Sequence, residues 1–285
     1  MSNLSGKETV LHMCRLSAGL SFWIVFAGVS GPAWAQDDKL PSAERILDKS
    51  IEGRGGKEAF KNLKSRVSKG TMEISGQGGS AKGNLTLYEA APNKRYFVLE
   101  LQGAKHEYGT DGDVYWTMDG PQGAKLREGE DKAIAERQAD FYAAIHWRDQ
   151  FENVETVAKE QVDDRSCYKV VLTPKIGAPE TFYFDRKTGL PIRIDTVRKS
   201  ERGESQLQTR QEDYREIDGV KIPFKTVRLA TSGGQTQTYT TVWESIEHNV
   251  DIPEERFVLP DAVKALVDKS GDQPAQSKDK KPKPQ

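Results

Sequence analysis

Histidine, cysteine and clustered carboxylates are the residues from which most protein chemistry is built, and here they are scattered. Outside the first 35 residues there are three histidines, His106, His146 and His248. None belongs to a His-Glu-x-x-His run, and none has a second ligand at metal-binding spacing. Cys167 lies beside Tyr168 and Val170 in a β-prone run and reads as a buried thiol rather than a nucleophile. Asp111-Gly112-Asp113 begins like a calcium loop, but Val114-Tyr115-Trp116 continues it as a strand, so the oxygen spacing fails and a turn is expected. Gly76-Gln77-Gly78-Gly79-Ser80-Ala81 is a loose dinucleotide fingerprint that joins two strands instead of opening a helix. Gly53-Arg54-Gly55-Gly56 precedes a helix, as a phosphate loop would. No strand comes before it and no Lys-Ser/Thr pair follows in register, so it reads as a helix–helix joint. There is no Gly-x-Ser-x-Gly elbow. Carboxylates are plentiful, and an acid–base pair in a cleft stays open at this level. No cofactor and no metal is expected.

The stronger signal is apolar. Phe97, Leu99, Leu101, Tyr108, Trp116, Phe182, Phe184 and Trp243 fall on predicted strands. Ile134, Phe141 and Ile145 share one face of a helix expected over residues 130–147. An ordinary core accounts for any one of these side chains. Together they exceed what two short helices can cover, which predicts an apolar cavity suited to hydrocarbon chains.

These side chains are positioned by antiparallel strands. The stretch from Thr181 to Phe224 sets the pattern. Thr188-Gly189 and Asp218-Gly219 supply residues that tolerate positive φ, flanked by Thr181–Asp185, Ile192–Ile194 and Val220–Phe224. Upstream, turn signals at Gly76–Gly79, Ala91–Asn93, Gln102-Gly103 and Asp111–Asp113 recur about every ten residues, the spacing of an up-and-down sheet. Downstream, strands are expected over 157–162, 165–173, 225–230 and 235–247, with an edge segment at Asp251–Phe257. The expected fold is mainly β: one curved antiparallel sheet of about ten or eleven strands forming an unclosed barrel. An N-terminal helix over residues 41–62 and the mid-chain amphipathic helix would cap it.

Composition narrows the setting. A net charge of −1 with 30% charged residues gives no field that would recruit nucleic acid. The apolar run Leu16–Val29 and the triplet Ala33-Trp34-Ala35 read as a cleaved signal peptide over residues 1–35. This implies export to the periplasm. One domain is expected over 36–266, followed by a Lys/Pro-rich disordered tail over 267–285. Cys14 would leave with the leader, so Cys167 has no intramolecular disulfide partner.

The order of several segments resembles the bacterial outer-membrane lipoprotein-sorting family, the LolA-like periplasmic lipoprotein carriers. They are Gly55-Gly56, the Val67–Gly76 strand, Ala91-Pro92-Asn93-Lys94-Arg95, Tyr108–Gly112 with Trp116, Tyr183–Arg193, and Asp213-Tyr214 with Asp218–Pro223. The resemblance implies an unclosed barrel under helical lids that binds lipid or lipoprotein acyl chains without catalysis. It also implies an arginine near the first strands that keeps the lid closed, for which Arg66 and Arg95 are nearest in position. A monomer is expected, with envelope membrane proteins as further partners. Two other readings stand beside this one: an envelope protein-interaction or sensor module on the same fold, and a secreted hydrolase.

Overall fold

Helix α1 (Ala43–Gly53) starts at Ser42, whose hydroxyl accepts from the Arg45 amide at 3.4 Å, and buries Ala43, Ile46, Leu47 and Ile51. The glycine joint then leads into α2 (Lys57–Lys61). The computed structural model describes residues 39–200 and 203–271, so the expected leader over 1–35 lies outside the described residues.

The first strands are β1 (Ser65–Gly76), β2 (Gly79–Ala90), β3 (Lys94–Leu101), β4 (Ala104–Thr110), β5 (Tyr115–Asp119) and β6 (Gly123–Leu126). Helices α3 (Gly129–Ala139) and α4 (Trp147–Gln150) interrupt the series. It resumes with β7 (Phe151–Val162), β8 (Arg165–Pro174), β9 (Glu180–Asp185) and β10 (Pro191–Ser200). The last strands are β11 (Gly203–Ile217), β12 (Val220–Ser232) and β13 (Gln235–His248), and helix α5 (Asp261–Gly271) follows. All thirteen described strands form one sheet in the order β6-β5-β4-β3-β2-β1-β13-β12-β11-β10-β9-β8-β7. Each pairing is antiparallel, and the β6 and β7 edges are not paired to each other. The unclosed sheet is as expected, with two to three more strands.

The hairpin turns do more than reverse the chain. Asp218 and Gly219 both adopt positive φ (51° and 77°), the geometry of a tight twisted hairpin. The glycine joint is pressed onto this turn. The Lys221 amide donates to the Arg54 carbonyl at 2.9 Å, and a Cβ on Gly55 would lie 1.9 Å from the Gly219 carbonyl oxygen. A Cβ on Gly53 would meet the Thr188 carbonyl at 2.3 Å. Both turns of the Thr181–Phe224 stretch are therefore seats for the α1–α2 joint.

Side chains pack on both faces of the sheet. On the concave face, α1 and α4 cover Val170, Leu172 and Phe184, while α2 covers Val220, Ile222, Phe224 and Ile246. On the convex face, Phe257 and Val263 cover Tyr96 and Trp116. Three expectations change here. The helix expected over 130–147 stops at Ala139, because the Asp140 carboxylate accepts from the Tyr142 amide (2.9 Å) and the Gln150 amide group (2.8 Å) and so turns the chain. Asp251–Phe257 is no edge strand: it passes through Pro253 into a 3₁₀ turn that packs on the convex face. The tail expected from residue 267 begins as helix, since α5 runs to Gly271.

Candidate functional site

Two chambers lie between the concave face and the segment 129–150. The larger space is floored by Met72, Leu85, Leu87, Phe97 and Trp243 and roofed by Ile134 of α3, with a volume of about 400 Å³. It continues past Leu207, Arg228 and Tyr239 into an outer space of about 660 Å³ bounded by Arg127, Ser205, Ser232, Gln235 and Gln237 near the hairpin tips. The smaller chamber, about 260 Å³, lies between α1, α4 and strands β8–β10, against Leu47, Trp147, Phe182 and Phe184. Ile134, Arg137, Gln138 and Glu180 border both chambers. Arg137 donates to the Glu180 carboxylate at 3.0 Å and to the Ile176 carbonyl at 3.0 Å, so a half-buried ion pair partitions the interior.

The roof is tied to the floor through charge. Glu89 on β2 is buried and accepts from Arg66 Nε at 2.6 Å and Arg95 Nη1 at 2.9 Å. Burial alone would raise the Glu89 pKa, but Arg66 and Arg95 outweigh it and hold the carboxyl below the usual range. Arg95 also donates to the Gln138 carbonyl at 2.6 Å, meeting the negative end of α3. The Phe141 amide donates to the Pro92 carbonyl at 2.9 Å. The β2–β3 hairpin thus grips the roof exactly where α3 ends and the chain turns.

The expected site residues separate into groups. Phe97, Tyr108, Ile134 and Trp243 line the larger chamber, with the Phe97 and Tyr108 rings stacked at 4.2 Å. Phe182 and Phe184 line the smaller one, stacked on each other at 5.8 Å, and Phe184 is part of the α1 core. Phe141 and Ile145 pack as filler against the α2 cluster. Leu99 and Leu101 alternate in step with Phe97 on β3 and so face the same side, with Leu99 buried. Trp116 faces the other way, into the cluster under α5. The run Val114–Met118 is apolar on both faces of its strand, so alternation alone did not reveal its orientation.

The cavity is also less apolar than expected. Arg95, Arg137, Arg198 and Arg228 border the larger chamber and Arg127 the outer space, with Glu130 and Glu180 as the bordering carboxylates. Alternation places Arg228 and Arg198 on the strand faces of Phe224 and Ile194, four residues on, but does not tell whether that part of the face is enclosed.

The chemistry-bearing residues stay apart. His106, His146 and His248 each pair with a single aspartate, Asp119, Asp140 and Asp218 respectively, at 3.0 Å. The Asp111 carboxylate accepts from the amides of Asp113 and Val114, closing its own turn. Cys167 is fully buried, and that burial pushes its thiol up to about 11. Among the described residues no group of three or more His, Cys, Asp or Glu side chains is arranged to hold a metal.

A single curved sheet wrapped around a lidded interior defines a binding cradle. No protein-family model and no curated protein matches the chain. Solved structures do. A LolA superfamily protein from Nitrosomonas europaea superposes with a TM-score of 0.52 at 13% identity, covering 77% of this chain and 99% of that one. A domain described as an outer membrane lipoprotein-sorting protein from Vibrio parahaemolyticus gives 0.51 at 10% identity, covering 75% and 97%. A DUF1329 family protein from Desulfovibrio piger gives 0.53 at 14%, covering 76% and 97%. The chain therefore has the LolA-type fold.

Proposed function

We propose that this protein is a non-catalytic carrier that holds the acyl chains of a lipid or lipoprotein between the sheet and the 129–150 segment. The carrying observation is the unfilled interior: a space of about 400 Å³ with Leu85, Leu87, Phe97 and Trp243 on its floor stays open although α1, α2 and α3 all pack on the same face. Burying hydrocarbon there stabilises the complex by about 0.8 kcal/mol per methylene. The Arg95–Gln138 contact keeps the roof shut, and release follows when a ligand-free or acceptor-bound state favours the open arrangement.

The leader read in residues 1–35 supports a periplasmic setting, and the likeness to a lipoprotein-sorting domain makes lipoprotein sorting the pathway class to examine first. The decisive experiment is native mass spectrometry of the protein purified from a lysate containing membranes. A co-purifying lipid mass, displaced by a fluorescent fatty acid, is expected. Neither a bound lipid nor fatty-acid binding would sink the carrier reading.

A further inference from the structure

Two arginines in the cavity lack what the others have. Arg95 is paired with Glu89 and Arg137 with Glu180, while Arg198 reaches Asp131 only at 3.8 Å. Arg127 and Arg228 have no carboxylate partner among the described residues. Arg228 Nε donates to the Thr209 hydroxyl at 3.2 Å, and the Arg127 guanidinium lies 5.4 Å from the centre of the Tyr108 ring. Arg127 is half-buried and Arg228 keeps an exposed side chain on the cavity wall. Desolvation lowers the pKa of each, Tyr108 opposes it in both and Asp131 opposes it at Arg127, while Arg198 and Arg95 add to the lowering at each. Both guanidinium groups remain charged. The sheet therefore concentrates positive charge at one end of an interior whose other end is Leu85, Leu87, Phe97 and Ile134. An anion lying among these planar forks would accept charge-assisted hydrogen bonds and cancel their mutual repulsion. A ligand with a neutral head would leave that repulsion in place.

Resting on the carrier reading above, we propose that the cavity selects an anion-headed amphiphile. Its phosphate or carboxylate would lie among Arg127, Arg198 and Arg228, and its chain would run over Leu85, Leu87 and Phe97 beneath Ile134. The preference is a property of the head, while the chain contributes affinity common to every lipid.

The test is calorimetric titration of the full-length mature protein with four probes, the lipids being used below their micelle concentrations. Three share one acyl chain: lysophosphatidic acid, lysophosphatidylcholine and monoacylglycerol. The fourth is inorganic phosphate. Lysophosphatidic acid is expected to bind at least about tenfold more tightly than the other two lipids, a margin that shrinks as salt is raised. The double variant Arg127→Gln/Arg228→Gln is expected to cut that margin to less than about threefold. Arg45→Gln, which removes an exposed charge on α1, is expected to keep it. Equal binding of the three lipids by the unmodified protein overturns the inference and leaves the carrier reading standing. Binding of inorganic phosphate as tightly as lysophosphatidic acid overturns it in favour of a free-anion site. If no lipid binds, both readings fall.

Discussion

The two ends of the concave face are built from the same kind of hairpin and finished differently. Under α1 and α4, Phe184, Val170 and Leu172 meet Ile46, Leu47 and Trp147, and the protein fills most of its own groove. Across β1–β3 and β11–β13 the roof offers one large apolar side chain, Ile134, beside Glu130, Arg137 and Gln138, and the floor carries threonines, Gln211 and arginines among its apolar groups. One end spends its surface on folding and the other keeps it available. The difference comes from what lies above the sheet: α1 presents four buried apolar positions, whereas α3 buries the small side chains Ala135 and Ala139 against Tyr115.

Truncation at each end tests this contrast most sharply. Ile46→Ala, in the α1 core and bordering neither chamber, is expected to cost about 3 kcal/mol in denaturant unfolding, because it empties a packed site. Leu207→Ala, on the wall of the open space, should cost less than about 1 kcal/mol, since its methyl groups already border a void. Similar losses at both positions would erase the distinction. Next in size is the tie between floor and roof. Glu89→Gln removes the shared partner of Arg66 and Arg95 and is expected to destabilise by about 3 kcal/mol. Because the folded-state Glu89 pKa is depressed, its contribution is present above the ordinary glutamate value and is lost as pH falls through the folded value. The variant should therefore show a flatter acid limb in a plot of stability against pH.

A smaller effect is expected at the partition. Removing the Arg137–Glu180 pair with Arg137→Met/Glu180→Gln should join the chambers and move the chain-length optimum for bound fatty acids upward, at a cost of at most about 1 kcal/mol in stability. An unchanged optimum would show that the smaller chamber takes no ligand. The least effect belongs to His248. Burial lowers its pKa, against the opposing effect of the hydrogen bond that the Asp218 carboxylate accepts from its ring, and Arg66 adds to the lowering. Its contribution is full above about pH 6.5 and declines as pH falls below that. His248→Gln should remove this slope, measured by urea midpoints between pH 7 and pH 5.

Much of the scaffold was readable because its instructions are local. Asp218-Gly219 and Thr188-Gly189 specify turns whatever surrounds them, and the strands beside them follow. The polar stretch between Thr196 and Gln211 was harder. It holds parts of the paired strands β10 and β11, where Thr209 and Gln211 line the cavity on one side and Gln206 and Gln208 lie on the other, so no apolar alternation marks it. The orientation of Trp116 depended on α5, a helix more than 140 residues away in sequence, and no local pattern carries that information. Cavity arginines escaped notice for a related reason. On a strand, a charged residue that faces an enclosed space has the same sequence signature as one that faces bulk solvent.

The unclosed sheet leaves β7 with one side of its backbone unpaired. A twelve-residue edge of that kind is a template for adding a strand from another molecule. Here the ladder to β8 slips twice, and at the second slip Val157 is an extra residue, 41% exposed, between Thr156 and Ala158. Such a bulge bends the free edge away from the straight path that a neighbour would need, and Glu152, Glu155 and Lys159 place charge along it. Deleting Val157 would remove the second slip and leave the ladder continuous from Asn153 to Val162, and the cost would be paid in colloidal terms: light scattering from concentrated solutions should rise before any loss of the folded state is detected.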